Sequence, residues 1–133
     1  MRRRGFTLVE VLVASAVGVL LATLAWSSYR GQLQRAGRSE AVEALHRLQR
    51  AQEQHRETFG RYASALAALG LAQATPGGRY RLEFKPTGAE SYQVLAVARE
   101  GGPQAGDDDC RALSLEVRQG FATLGPDGRC WNR

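Results

Sequence analysis

Gly5-Phe-Thr-Leu-Val-Glu10-Val-Leu-Val-Ala-Ser-Ala-Val-Gly-Val-Leu-Leu-Ala-Thr-Leu-Ala-Trp26 decides the fold, because Glu10 is the only charged side chain between Gly5 and Arg30. The apolar run from Phe6 to Ser28 holds about 20 residues, which at about 1.5 Å per residue spans a hydrocarbon core of about 30 Å. A carboxylate inside such a span costs about 2.5–3.5 kcal/mol at mid-bilayer, so it marks a functional site by default. Its neighbours Val9, Val11, Leu12 and Val13 offer no cation. The partner of Glu10 is therefore expected outside this helix.

The flanks orient the span. Arg2, Arg3 and Arg4 precede it without an acid among them, and the positive-inside rule keeps such a cluster in the cytoplasm. Everything after Trp26 then lies on the far side, which in a bacterium is the periplasm, where disulfides persist. With 133 residues the chain has room for one small domain besides the span. Its net charge of +5 invites a nucleic-acid reading. Removal of residues 1–5 would leave fifteen basic residues against thirteen acidic, a formal +2, so charge alone does not carry that reading.

The N-terminus does not read as an ordinary secretory signal, whose apolar core is shorter and ends at a small-residue cleavage site. Here Ala14-Ser-Ala16 sits in the middle of the run, and the basic leader ends in glycine before it. Gly5-Phe6-Thr7-Leu8-Val9-Glu10 resembles the type IV prepilin processing signal. The resemblance implies cleavage between Gly5 and Phe6 by a prepilin peptidase, N-methylation of Phe6, and assembly with other pilin subunits into a filament. Physical chemistry agrees with it. Cutting after Gly5 creates an ammonium group at Phe6, one helical turn from Glu10. In a filament, the Phe6 ammonium of one subunit can approach the Glu10 carboxylate of its neighbour. At ~4 Å and an effective dielectric of ~20, the attraction is on the order of 4 kcal/mol before desolvation. A plain signal anchor that tolerates a glutamate is the competing reading.

Beyond Tyr29 the composition turns charged while helical periodicity persists. Leu33, Ala36, Ala41, Ala44, Leu45, Leu48, Ala51, His55 and Phe59 recur at mostly three- and four-residue steps, an amphipathic stripe. Glu43 and Arg47 stand at i,i+4, where a weak salt bridge forms. The spacing predicts one helix from about Phe6 to about Thr58, apolar all round in its first half, stopped near Gly60. Gly18, Gly31 and Gly37 are weak points or places of close packing.

After the helix the period changes. Tyr62–Leu71 reads as a short helical turn anchored by Leu66 and Leu69, and Ala74-Thr-Pro-Gly-Gly78 as a turn. Tyr80, Leu82 and Phe84 alternate with Arg81, Glu83 and Lys85 as a half-buried strand. A connection at Pro86–Ser91 leads to a more central strand at Tyr92–Ala98. Gly101–Asp109 is a loop, Leu113–Val117 a third strand, and turn signals surround Phe121 and Leu124. The expectation is an α+β fold: a long N-terminal helix packed on a small antiparallel sheet of 3–4 strands. Its parts are a leader at 1–5, a span at 6–28, an amphipathic continuation at 29–60 and a sheet region at 61–133.

Cys110 and Cys130 bracket the last strand. The oxidising compartment argues that they pair, closing a loop worth roughly 3 kcal/mol; free thiols are the alternative, and a redox pair would favour Cys-x-x-Cys. With Asp109-Cys110-Arg111 and Cys130-Trp131, the C-terminal half resembles the minor pilins of type IVa pili, whose disulfide-bounded region is a variable surface loop. Asp107, Asp108 and Asp109 lack the ligand spacing a calcium ion needs. The related type II secretion pseudopilins hold calcium in a C-terminal loop, so the question stays open, with a solvated run of charge favoured. His46 and His55 stand about 180° apart on a helix and cannot share a metal. No hydrolase order, phosphate loop or metalloprotease motif occurs, so neither a catalytic residue nor a cofactor or metal is expected. Arg79, Arg81, Lys85, Arg99, Arg111, Arg118, Arg129 and Arg133 would form a track for DNA only if they shared a face, which is not favoured.

The functional expectation is a structural minor pilin of a type IV pilus. It would be held in the inner membrane with a periplasmic domain, handled by the pilus assembly machinery, and then be part of an extracellular pilus. A type II secretion pseudopilin or a DNA-receptor pilin are the alternatives.

Overall fold

Thr7 begins the first helix. Its side-chain oxygen accepts a hydrogen bond from the Glu10 N–H at 3.3 Å, and its carbonyl accepts from the Val11 N–H at 3.2 Å. Thr7-x-x-Glu10 is thus the sequence of a capping box, with the acid in the first turn where the helix dipole favours it. The structure, a computed structural model, describes residues 5–133; Arg2, Arg3 and Arg4 of the expected leader lie outside the described residues.

Helix α1 runs Leu8–Phe59, 52 residues. It ends where expected: Gly60 adopts φ +71 and donates its N–H to the Arg56 carbonyl at 2.7 Å. Only glycine takes this left-handed cap without strain.

The chain divides into two compact units, Met1–Leu33 and Gln34–Arg133. In the first, the described residues other than half-buried Gly31 are exposed, and none of the apolar window is buried. Hydroxyls within it bond back to the helix: Ser15 to the Val11 carbonyl, Thr23 to Leu20 and Ser27 to Leu24. A polar group in lipid needs an internal partner of this kind.

In the second unit four antiparallel strands, β1 Tyr80–Gly88, β2 Ser91–Ala98, β3 Ala112–Arg118 and β4 Phe121–Gly125, lie in that order across the sheet. Period-two alternation puts Tyr80, Leu82, Tyr92, Val94, Ala96, Leu113, Leu115 and Val117 in the core with Ala41, Ala44, Leu45 and Leu48 of α1. Arg81, Glu83 and Lys85 face outward and are exposed. The connection expected from Pro86 is shorter than the sequence suggested: β1 continues to Gly88 through a register shift between Pro86 and Gly88. β3 and β4 join through Gln119 and Gly120, both at positive φ (51 and 83); such a two-residue turn matches the twist of a hairpin.

The helical stripe shifts from the one expected. Leu33, Ala36 and Phe59 are exposed, while Gly37 and Gln52 are buried. Gly37 is a close-approach position, since a Cβ there would run into the Gln104 side-chain amide. Gln52 exchanges two hydrogen bonds with Ala63, donating to its carbonyl at 3.1 Å and accepting from its N–H at 2.8 Å. The amide extends the backbone's own pairing into the loop and satisfies groups that burial would otherwise orphan. The expected turn near Leu66 and Leu69 is a 3-10 turn, Leu66–Leu69, closed by Gly70 at φ 67. Tyr92 Oη is buried with no hydrogen-bond partner among the described residues, and burial pushes its phenol up.

Candidate functional site: the helix start and the C-terminal clasp

Two regions carry the residues singled out in the sequence. At the start of α1, Gly5, Phe6 and Glu10 are all exposed, Phe6 at 81 %. Phe6 precedes α1 and Glu10 lies in its first turn, four residues on; no ion pair among the described residues includes Glu10. Its carboxylate is thus available to a group from another chain. Sequence reading missed Thr7, although the Thr-x-x-Glu spacing was there to find.

At the other end of the chain Cys110 and Cys130 form a disulfide with their Cα atoms 5.4 Å apart, and both are buried. The segments it joins grip the part of α1 that opens the second unit. Asp107 accepts from Arg38 through both carboxylate oxygens, at 2.7 Å from Nε and 2.6 Å from Nη2. Their side chains are 4 % and 16 % exposed, so the pair sits out of solvent. The bond to Asp107 holds the Arg38 guanidinium above its ordinary value against the opposing effect of burial. Arg38 also donates to the Arg129 carbonyl at 3.3 Å. Gln104, buried, donates to the Gln34 carbonyl at 3.2 Å and to Tyr80 Oη at 3.1 Å. Asn132 donates to the Arg35 carbonyl at 3.1 Å and to Ser39 Oγ at 3.0 Å. Trp131 is buried, sets its ring edgewise to His46 at 5.7 Å, and donates to the Gly125 carbonyl at 2.8 Å.

Asp107 therefore corrects one expectation: the acidic run is not simply solvated. Asp108 and Asp109 are exposed, and Asp108 pairs with Arg111, whereas Asp107 is buried and engaged by Arg38. Among the described residues, no three His, Cys, Asp or Glu side chains converge as a metal site.

Glu40 forms a second clasp. It accepts from the Thr75 hydroxyl, the Gly77 N–H at 3.0 Å and the Arg79 guanidinium at 3.2 Å. Burial opposes its charge, but these hydrogen bonds outweigh burial and hold the carboxyl below its usual range. Its contribution to stability is present above the unfolded value and is lost as pH falls through the lowered folded one. Near the end of α1, Glu53 accepts from Tyr62 Oη at 2.7 Å and pairs with Arg56 at 2.8 Å. Burial first, then the bond to Glu53, pushes the Tyr62 phenol up to about 12.

Of the eight basic residues considered for a DNA track, five are held in ion pairs. Arg79, Arg81, Arg111, Arg118 and Arg129 pair with Glu40, Glu83, Asp108, Glu116 and Asp127 at 2.5–3.2 Å. Lys85, Arg99 and Arg133 have no acidic partner among the described residues. The expected Glu43–Arg47 pair is present at 2.9 Å and exposed.

Comparison with known proteins follows this division of the chain. Residues 1–26 match the family model of the prokaryotic N-terminal methylation motif. Residues 27–114 match that of the type IV minor pilin ComP, DNA uptake sequence receptor. Type II secretion system core protein G of Klebsiella pneumoniae is 31 % identical over 112 residues, covering 75 % of this chain and 79 % of that protein. Its counterpart from Dickeya chrysanthemi is 29 % identical over 112 residues, covering 75 % and 72 %. An N-terminal methylation motif on an exposed apolar helix, an α1-on-sheet second unit and a C-terminal disulfide together place the chain in the type IV pilin family: it is a minor pilin, a structural filament subunit.

Proposed function

We propose that the chain is cut between Gly5 and Phe6 by a prepilin peptidase, N-methylated at Phe6, and held in the inner membrane by the start of α1 with its second unit in the periplasm. Assembly machinery then moves it into a pilus, where Glu10 receives the Phe6 ammonium of a neighbouring subunit. The observation that carries this reading is the helix start itself. Glu10 stands in the first turn of α1, four residues after Phe6, and none of the apolar window of that helix is buried. A charge in that setting needs a partner from outside. The secretion-pseudopilin alternative is supported by the two protein G relatives. Against it stand the minor-pilin match over the second unit and the engagement of Asp107 by Arg38 where a C-terminal calcium loop would need carboxylates.

Intact mass of the chain from sheared filaments tests the proposal. The expected species begins at Phe6, carries one methyl group and contains the disulfide; Gly5→Ala is expected to retain the leader. Wild-type filament protein that still begins at Met1 would sink the reading.

A second reading, duplex DNA binding, has one observation behind it: the matched model describes a receptor for DNA uptake sequences. Lys85, Arg99 and Arg133 are the cations left for phosphate. This reading expects binding by the detergent-solubilised full chain that weakens steeply with salt, as counterion release requires. No binding at low salt removes it.

A further inference from the structure

Where the apolar run of α1 ends, Trp26, Tyr29 and Arg30 stand at i, i+3 and i+4 and so share one face. All three are exposed, Trp26 at 65 % and Tyr29 at 56 %. Arg30 enters no ion pair among the described residues. In sequence its nearest acids are Glu10 and Glu40, twenty and ten residues away. The next charged residue, Arg35, is also a cation. A lone guanidinium beside two amphipathic aromatics at the edge of an apolar span calls for an anion at one depth.

We propose that this face binds the phosphate of an anionic phospholipid in the non-cytoplasmic leaflet, with Arg30 as the ligand-bearing residue and Trp26 and Tyr29 setting its depth. The inference rests on the reading of the start of α1 as a membrane span. Distances along the helix fit. Arg30 lies about 6 Å beyond Trp26 at about 1.5 Å per residue, and the polar layer on each side of a bilayer is about 5–7 Å thick. With the two rings at the boundary of that layer, the guanidinium reaches the phosphates, and its planar fork matches two phosphate oxygens. A neutral zwitterionic headgroup offers the same phosphate with a competing ammonium, so the preference is for net negative lipid. The lipid would hold the subunit in its membrane pool, and entry into a filament would require this contact to be released.

Full-length chain in nanodiscs of equimolar phosphatidylglycerol and phosphatidylcholine tests the site. After release for native mass spectrometry, retained phosphatidylglycerol is expected to exceed phosphatidylcholine by about fivefold. Arg30→Gln should bring the ratio close to that of the bulk lipid, and Arg30→Lys should keep most of the preference. Excess inorganic phosphate is expected to leave the ratio unchanged. Loss of the preference on adding it would mean that the site takes free phosphate rather than lipid, and overturns the proposal. Equal retention by wild type and Arg30→Gln overturns it as well. Protease access to the inserted chain separates the two readings: a chain that does not insert removes both, whereas one that inserts without lipid preference removes this one alone.

Discussion

Glu10→Val is expected to insert into the membrane and lose its leader normally, yet to reach sheared filaments at about a tenth of the wild-type amount or less. The proposed pairing of Glu10 with a neighbouring Phe6 ammonium would be worth on the order of 4 kcal/mol before desolvation. Even with more than half of that cancelled by burying both charges, the remainder corresponds to a factor of about ten. Quantitative immunoblotting of sheared filaments against the membrane pool gives the ratio. The hydrogen bond from the Glu10 N–H to Thr7 supplies the control. A first-turn acid also favours the helix start by about 0.3–1 kcal/mol through the dipole, so Glu10→Val alone mixes two effects. Thr7→Val weakens the cap and keeps the charge, and it is expected to incorporate almost normally. If Thr7→Val fails as badly as Glu10→Val, the helix start matters and the inter-subunit charge pair does not.

The largest stability effect is expected at the Arg38–Asp107 pair. Asp107→Ala strands a guanidinium in a site where its side chain is 16 % exposed, and breaking a buried pair from one side costs about 3–5 kcal/mol. For a unit of this size that amounts to a fall in Tm of more than about 10 °C. Thermal unfolding of the full chain in detergent, followed by near-ultraviolet circular dichroism, measures it. The double substitution Arg38→Met, Asp107→Leu removes both charges and should recover most of the loss. A drop below about 1 kcal/mol for Asp107→Ala, or a double variant no better than the single one, would show the pair to be solvated and replaceable.

This pair also marks where sequence reading runs out. The alternation of Tyr80, Leu82, Tyr92, Val94, Leu113, Leu115 and Val117 announced three strands because period two leaves a mark within a few residues. The Ala41–Leu48 stripe announced the helix face in the same way, and Gly60 its end. β4 was less visible because its exposed edge position lets Phe121, Ala122 and Thr123 depart from a clean pattern. Arg38 and Asp107 are separated by 69 positions, and nothing in the local periodicity of either joins them. The same holds for Gln104 beneath Gly37 and for Glu40 over Thr75. In each case a residue that looks like solvated surface, or like a weak point in a helix, is buried by a loop arriving from elsewhere. At the candidate site, Gly5, Phe6 and Glu10 were legible because their chemistry lies in one short run. Arg30 was legible only as a charge, since its lack of a partner is a fact of three dimensions.

The two clasps have a mechanical consequence. Gln34, Arg35, Arg38, Ser39 and Glu40, which bond to the C-terminal segment and to the 75–79 loop, fall within two turns of α1, at the point where the helix enters the second unit. Tension drawn along α1 therefore arrives first at a ring of polar bonds that share the load. Bonds strained side by side yield together or not at all, whereas bonds strained in series peel one after another. The subunit is thus fastened like a rivet, at the place where a pull would reach it first.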